Sequence, residues 1–228
     1  MCCFQHRRIT IDGIKLESKS KVHEEYFRGR EEVHRFLMGI IGKDYENPKS
    51  YNYEMSSCMA LFRRSLFMES GIRYPSERIV ASEDFVFLLY FLPYVQSVGI
   101  IPNVFYNYLI NPVSISQNYS EQKHERLLKM LTLLREYCEI NFEYADYKNH
   151  YFSLNATGFF KIILKYISYS KEPFLQKVRH LSKETRNPIL SEFYRDPVSR
   201  KYGLGNSLYI FCMKHHISLF FILLYKFK

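Results

Sequence analysis

Ser82-Glu83-Asp84 sets two adjacent carboxylates where a polar segment gives way to the run Phe85-Val86-Phe87-Leu88-Leu89-Tyr90-Phe91-Leu92. This pair of carboxylates is the best candidate for a chemical site. The apolar run is too dense for a helix with a wet face, and Pro93 supplies an end, so a buried helix is expected over 83–92. Its first turn exposes free backbone N–H groups and the positive end of the macrodipole, which keep the acids charged at neutral pH. The same tripeptide also describes an ordinary helix start, with Ser82 as N-cap and acids in the first turn. Both readings stand on the tripeptide alone.

The flanking segments add to it. Upstream lie Ser57-Cys58-Met59-Ala60-Leu61-Phe62-Arg63-Arg64-Ser65-Leu66-Phe67 and Ser70-Gly71-Ile72-Arg73-Tyr74-Pro75; downstream lie Ile101-Pro102-Asn103-Val104-Phe105-Tyr106-Asn107-Tyr108 and Ser114-Ile115-Ser116. In this order, over residues 57–116, they resemble the acceptor half of family 2 glycosyltransferases of the GT-A fold. That family has a small-residue strand, an arginine-bearing helix start, a Gly-Ile turn, a Glu-Asp pair opening a helix, and a tyrosine-rich strand before a serine-containing loop. The resemblance implies that Asp84 is the general base, deprotonating an acceptor hydroxyl as it attacks a nucleotide-activated sugar with inversion. It implies that Glu83 orients Asp84 or binds the acceptor, and that Ser114 joins the substrate contacts. Tyr106 and Tyr108, two apart on a strand, share a face and would stack on a sugar ring; core packing is the competing reading. Arg63 would reach a phosphate, as would Arg64, against the alternative of a solvated helix start.

The chain departs from the family in one important respect. The resemblance implies a nucleotide-sugar donor, a glycan acceptor and a divalent metal (Mg or Mn) held by Asp-x-Asp, with the metal expected only in a complete enzyme. Asp12, Asp44, Asp84, Asp146 and Asp196 form no such motif, and the nine glycines form neither GxGxxG nor a Walker loop. Leu109 stands where the family often has Arg. Met1-Cys2-Cys3-Phe4-Gln5-His6 opens inside a predicted strand, and Asp12-Gly13 marks a hairpin joining 2–11 to 14–17. The expectation is therefore a C-terminal portion lacking roughly 90 to 100 residues of nucleotide-binding βαβ fold, and inactive alone.

Five cysteines form no CxxC and leave an odd one over, so neither a zinc site nor a disulfide framework is indicated. The net charge of +9 attracts anions, yet the basic residues are scattered and no nucleic-acid module is recognisable, so no nucleic-acid partner is expected. No signal-peptide core and no membrane span are visible, and the expected location is cytoplasmic, peripheral on the inner face of the cell membrane. In the tail, Leu208–Met213 and 217–225 are apolar runs split by Lys214-His215-His216 and closed by Lys226-Phe227-Lys228. They fit an interfacial helix on an anionic leaflet, or a terminal helix docked on the protein. Adjacent His215 and His216 cannot share a helix face as a metal pair.

The fold class expected is α/β, a partial GT-A-like domain over 1–118 with a mainly helical, membrane-associated extension over 119–228. Helices are predicted at 29–41 (Val33, Phe36, Leu37, Ile40 and Ile41 inward), 65–70, 83–92, from 121 on (Leu127, Leu128, Leu131, Leu134 and Tyr137), 151–169 and 173–183. Residues 57–62 are predicted extended, 98–109 a strand broken near Pro102, 42–53 a loop bordering an acceptor cleft, and 186–206 a linker rich in Pro and Gly. Two other function classes fit: a non-catalytic remnant that binds glycan or membrane, and a basic helical nucleic-acid binder.

Overall fold

A computed structural model describes residues 1–16, 23–53, 56–110, 120–202 and 204–226. The chain is mixed α/β and divides into two compact units, Met1–Ile40 with Tyr53–Asn118, and Ile41–Asn52 with Tyr119–Lys228.

The first unit is built on a mixed sheet in the order β2-β1-β5-β3. Strand β1 (Cys2–Ile9) runs parallel to β5 (Ser97–Leu109) and antiparallel to β2 (Lys15–Leu16), and β3 (Glu25–Arg28) pairs antiparallel with β5. The β1–β2 turn sits at Asp12-Gly13, where Gly13 takes φ 78°, a conformation that costs a side-chain-bearing residue 1–2 kcal/mol or so. Strand β5 passes Pro102 without a break; the irregularity shows as register shifts opposite Cys3–His6, which leave Phe105 bulged between Val104 and Tyr106. Pro102 is tolerated there because the ladder is locally disrupted in any case.

Helix α1 (Gly29–Ile41) has the predicted bounds and buries Val33, Phe36, Leu37, Ile40 and Ile41. Its start is tied down by Glu32, whose carboxylate accepts the Arg28 N–H at 2.6 Å. Residues 57–62 are not a continuous strand. A 3-10 turn at Ser57–Met59 leads into the two-residue strand β4 (Ala60–Leu61), which pairs with the start of β1. Helix α2 (Arg64–Ser70) ends at Gly71, in the left-handed region at φ 66°. Helix α3 (Glu83–Phe91) buries Val86, Phe87, Leu88, Leu89 and Phe91, as its all-round apolar sequence requires.

The second unit is helical: α4 (Glu121–Asn141), α5 (Tyr144–Tyr169), α6 (Phe174–Glu184), α7 (Pro188–Arg195), α8 (Leu204–Lys214) and α9 (Ser218–Lys226). Leu127, Leu131, Leu134 and Tyr137 are buried as predicted, while α5 begins seven residues before Tyr151 and Pro173 stands at the N-cap of α6. Helix α4 packs on α5, α5 on α7, α7 on α8, and α9 on both α8 and α6. The stretch 186–206 is no linker. Pro188 occupies the first position of α7, where its missing N–H costs nothing, and a 3-10 helix (Pro197–Tyr202) connects to α8. Phe193, Tyr194 and Val198 are buried, so this segment contributes core. Residues 42–50 are tied to α5: the Gly42 carbonyl meets His150 Nδ1 at 2.6 Å, and Asn149 Nδ2 donates to Asp44 Oδ1 at 2.9 Å.

Candidate functional site

Asp84 is placed by two elements that converge from different parts of the first unit. Helix α3 is locked by Phe62, whose ring stands edge-on to Phe87 at 5.6 Å and to Phe91 at 5.5 Å. Phe62 follows directly on β4, which is anchored to β1, so the turn before β4 is held against the start of α3. The result is a carboxylate facing two serines. Asp84 Oδ1 accepts from Ser57 Oγ at 2.5 Å; Oδ2 accepts from Ser56 Oγ and, at 3.2 Å, from the Ser57 N–H.

The helix start is not an ordinary cap. Ser82 is the N-cap residue, but its side chain makes no capping bond and its backbone lies in the left-handed region at φ 53°, ψ 57°. Its carbonyl still accepts the first helical bond, from Val86 N–H at 3.1 Å. Ordinary serine caps adopt extended backbone and use the hydroxyl as acceptor. Here the left-handed turn redirects the chain into α3, and Asp84 bonds to a segment 27 and 28 residues earlier rather than to its own helix.

Two tyrosines border this cluster. Tyr74 stacks on Phe87 with ring centroids 4.0 Å apart, and its phenol is hydrogen-bonded to the Ser57 side chain. Burial, then the charge of Asp84, holds the Tyr74 phenol above its ordinary range against the Ser57 bond, so it stays neutral. Tyr106, half-buried on β5, is hydrogen-bonded to Cys58, whose sulfur lies 3.2 Å from Ser56 Oγ. Its electrostatic interaction with Cys58, ahead of partial burial and the bond itself, pushes the Tyr106 phenol up. Asp84, Ser56, Cys58 and Tyr106 thus form one polar chain running from the helix start to the sheet.

The structure treats the sequence-derived candidates unevenly. Asp84 and Tyr106 come together through Ser56 and Cys58. Tyr108 lies beyond Tyr106 on the same strand, 41% exposed, with its ring edge-on to His6 at 6.2 Å. Neither tyrosine is core. Glu83 is half-buried beside Asp84, but the groups that orient Asp84 are the two serines. Arg63, exposed before α2, lines a separate cleft of about 260 Å³ with Met1, Glu69 and Tyr94, away from the Asp84 cluster. Ser114 lies outside the described residues. Ser56 had no part in the sequence reading, and the role of Ser57 as a ligand of Asp84 had no local signal, because the contact spans 27 residues.

Among the described residues, no group of three or more His, Cys, Asp or Glu side chains stands close enough together to hold a metal ion. The resemblance assigns the divalent cation to an Asp-x-Asp sequence, which this chain does not contain, and Asp84 itself is engaged by three protein donors. Comparisons of the chain with protein-family models, with curated proteins and with solved structures return no match.

Proposed function

We propose that Ser56, Ser57, Asp84 and Tyr106 form the acceptor side of a glycosyl-transfer site. In this reading a sugar moves, with inversion, from a nucleotide-sugar to a hydroxyl of a glycan or lipid-linked acceptor in cell-surface polysaccharide synthesis. The observation that carries it is the geometry of Asp84: a carboxylate on a rigid helix start, fixed by hydroxyl and amide donors, bordered by Tyr74 and Tyr106. A carboxylate offers about four acceptor positions. Three are filled, which leaves one on Oδ1 for an incoming hydroxyl.

The step balances simply. The acceptor oxygen bonds to the anomeric carbon, the bond from that carbon to the diphosphate oxygen breaks with its electron pair leaving on the diphosphate, and the hydroxyl proton passes to Asp84 Oδ1. Ser56 and Ser57 hold the carboxylate in place during the transfer, and exposed Tyr108 with half-buried Tyr106 supplies an aromatic surface for the acceptor ring. The reading is confined to the acceptor side. No residue pattern of this chain supplies the donor's diphosphate contacts, and no step here runs through a metal.

The same three bonds favour a second reading, in which Asp84 is a latch between the 57–59 turn and α3 and the surface binds glycan without chemistry. A glycan array followed by a nucleotide-sugar panel on whatever glycan is captured separates the two. Acceptor-side catalysis predicts capture that Tyr106→Ala weakens and, once the chain is fused to a nucleotide-sugar-binding GT-A half, nucleoside diphosphate release that Asp84→Asn abolishes while capture persists. Capture with no release by that fusion under any donor leaves the latch reading, and failure to capture any glycan refutes both.

A further inference from the structure

The last two helices carry their polarity inside out. In α9, Ser218 is buried at 2% exposure, and its hydroxyl accepts a bond from Ser182 Oγ at 3.1 Å; Phe221 and Ile222 share that inner side. The outward arc consists of Leu219, Phe220 and Leu223, which are 49%, 45% and 37% exposed. At 100° per residue these three fall within one 100° sector, and a helix facing water would hold polar residues there. Helix α8 repeats the arrangement: Ile210, Cys212 and Met213 are buried, while Leu208 and Phe211 face outward with Lys214 and His215.

Along the chain, the charges of this segment have one sign. From Pro197 to Lys228 there is no Asp or Glu, whereas Arg200, Lys201, Lys214, Lys226 and Lys228 are basic and His215-His216 form the turn between the helices; of these, Lys201 is paired with Glu46 at 3.0 Å. No helix of the described residues is long and apolar enough to cross a membrane. A short, outwardly apolar helix flanked only by cations is the pattern of a segment lying in the headgroup layer of an anionic bilayer.

We propose that α8 and α9 dock this chain on an anionic lipid surface, with Leu208, Phe211, Leu219, Phe220 and Leu223 entering the headgroup layer and Lys214 meeting lipid phosphates. The occupant is a bilayer rather than a second copy because the apolar arcs are bordered by like charges, which two copies would bring against each other. The inference is independent of any glycosyl transfer in the first unit.

The test is co-sedimentation of the full chain with vesicles of phosphatidylcholine alone or mixed equally with phosphatidylglycerol. The expected result is binding to the mixed vesicles only, weakened by roughly 1 M salt, where the Debye length is about 3 Å. Phe220→Glu and the pair Leu219→Ser with Leu223→Ser should each reduce binding by roughly tenfold or more, because each removes apolar area from the layer. Exposed positions leave folding intact, checked by unchanged circular dichroism and melting. Lys214→Glu should weaken binding to mixed vesicles several-fold. No binding to mixed vesicles, or equal binding by the Phe220→Glu variant, overturns the proposal. So does light scattering that shows a dimer dispersed by Phe220→Glu with no vesicle binding, since the arcs would then join two copies.

Discussion

Replacing Ser57 and Asp84 singly and together tests whether the turn and α3 are held as one unit. The Ser57 hydroxyl gives Asp84 a short bond, 2.5 Å, and the Ser57 N–H a longer one at 3.2 Å. A hydrogen bond to a charged group contributes about 1.5–3 kcal/mol, and the half-buried setting puts this pair near the low end. Ser57→Ala should therefore cost roughly 1.5 kcal/mol, and Asp84→Ala about 3 kcal/mol, since the latter strands the Ser56 and Ser57 donors together. With Asp84 already gone, removing the Ser57 hydroxyl should cost little, so the double variant should fall short of additivity by about 1–2 kcal/mol. Urea unfolding followed by circular dichroism gives the cycle, and hydrogen exchange at the first amides of α3 should speed up in the same order. Additivity within about 0.3 kcal/mol would show that the Ser57 hydroxyl contributes nothing to holding Asp84 and would refute its part in both the positioning of Asp84 and the latch.

Ser82→Gly should stabilise the first unit by about 1 kcal/mol, read as a higher urea midpoint, because glycine adopts the φ 53° backbone without the penalty serine bears. Gly42→Ala should destabilise the second unit by roughly 1–3 kcal/mol in thermal melting: its Cβ would lie 2.5 Å from the His150 carbonyl oxygen, which is backbone and cannot swing aside. Burial lowers the His180 pKa, outweighing the opposing pull of Glu184, so the folded state binds its proton less readily than the unfolded chain. Its stabilising effect is thus whole above the ordinary value of 6.5 and lost as pH falls below it; His180→Gln should flatten the fall in melting temperature between neutral and mildly acid pH. Burial pushes the Cys3 and Cys138 thiols up to about 12, so a thiol reagent at neutral pH should modify exposed Cys58 first and leave those two unmodified until denaturant is added.

Local pattern was legible wherever a segment's own residues decided its structure. Val33, Phe36, Leu37, Ile40 and Ile41 recur at helical spacing, and α1 has the bounds they set; Asp12-Gly13 makes its turn because glycine alone adopts φ 78° without strain. The run from Phe85 to Phe91 is apolar on every side, so a largely buried α3 was visible in the sequence, although Tyr90 is exposed. The reading failed at 186–206, where prolines and glycines were taken for a linker: Pro188 opens α7 and Phe193, Tyr194 and Val198 are core, because packing on α5 and α8 outweighs local breakers. The fate of Asp84 was beyond the sequence as well. Its type and its place at a helix start follow from neighbouring residues, but its partners Ser56 and Ser57 arrive from 28 and 27 residues away, through the pairing of β4 with β1 and the seating of Phe62 on α3. The buried Ser218 and exposed Phe220 of α9 are likewise settled by what packs against the helix, since an apolar run alike on all faces does not specify which face turns inward.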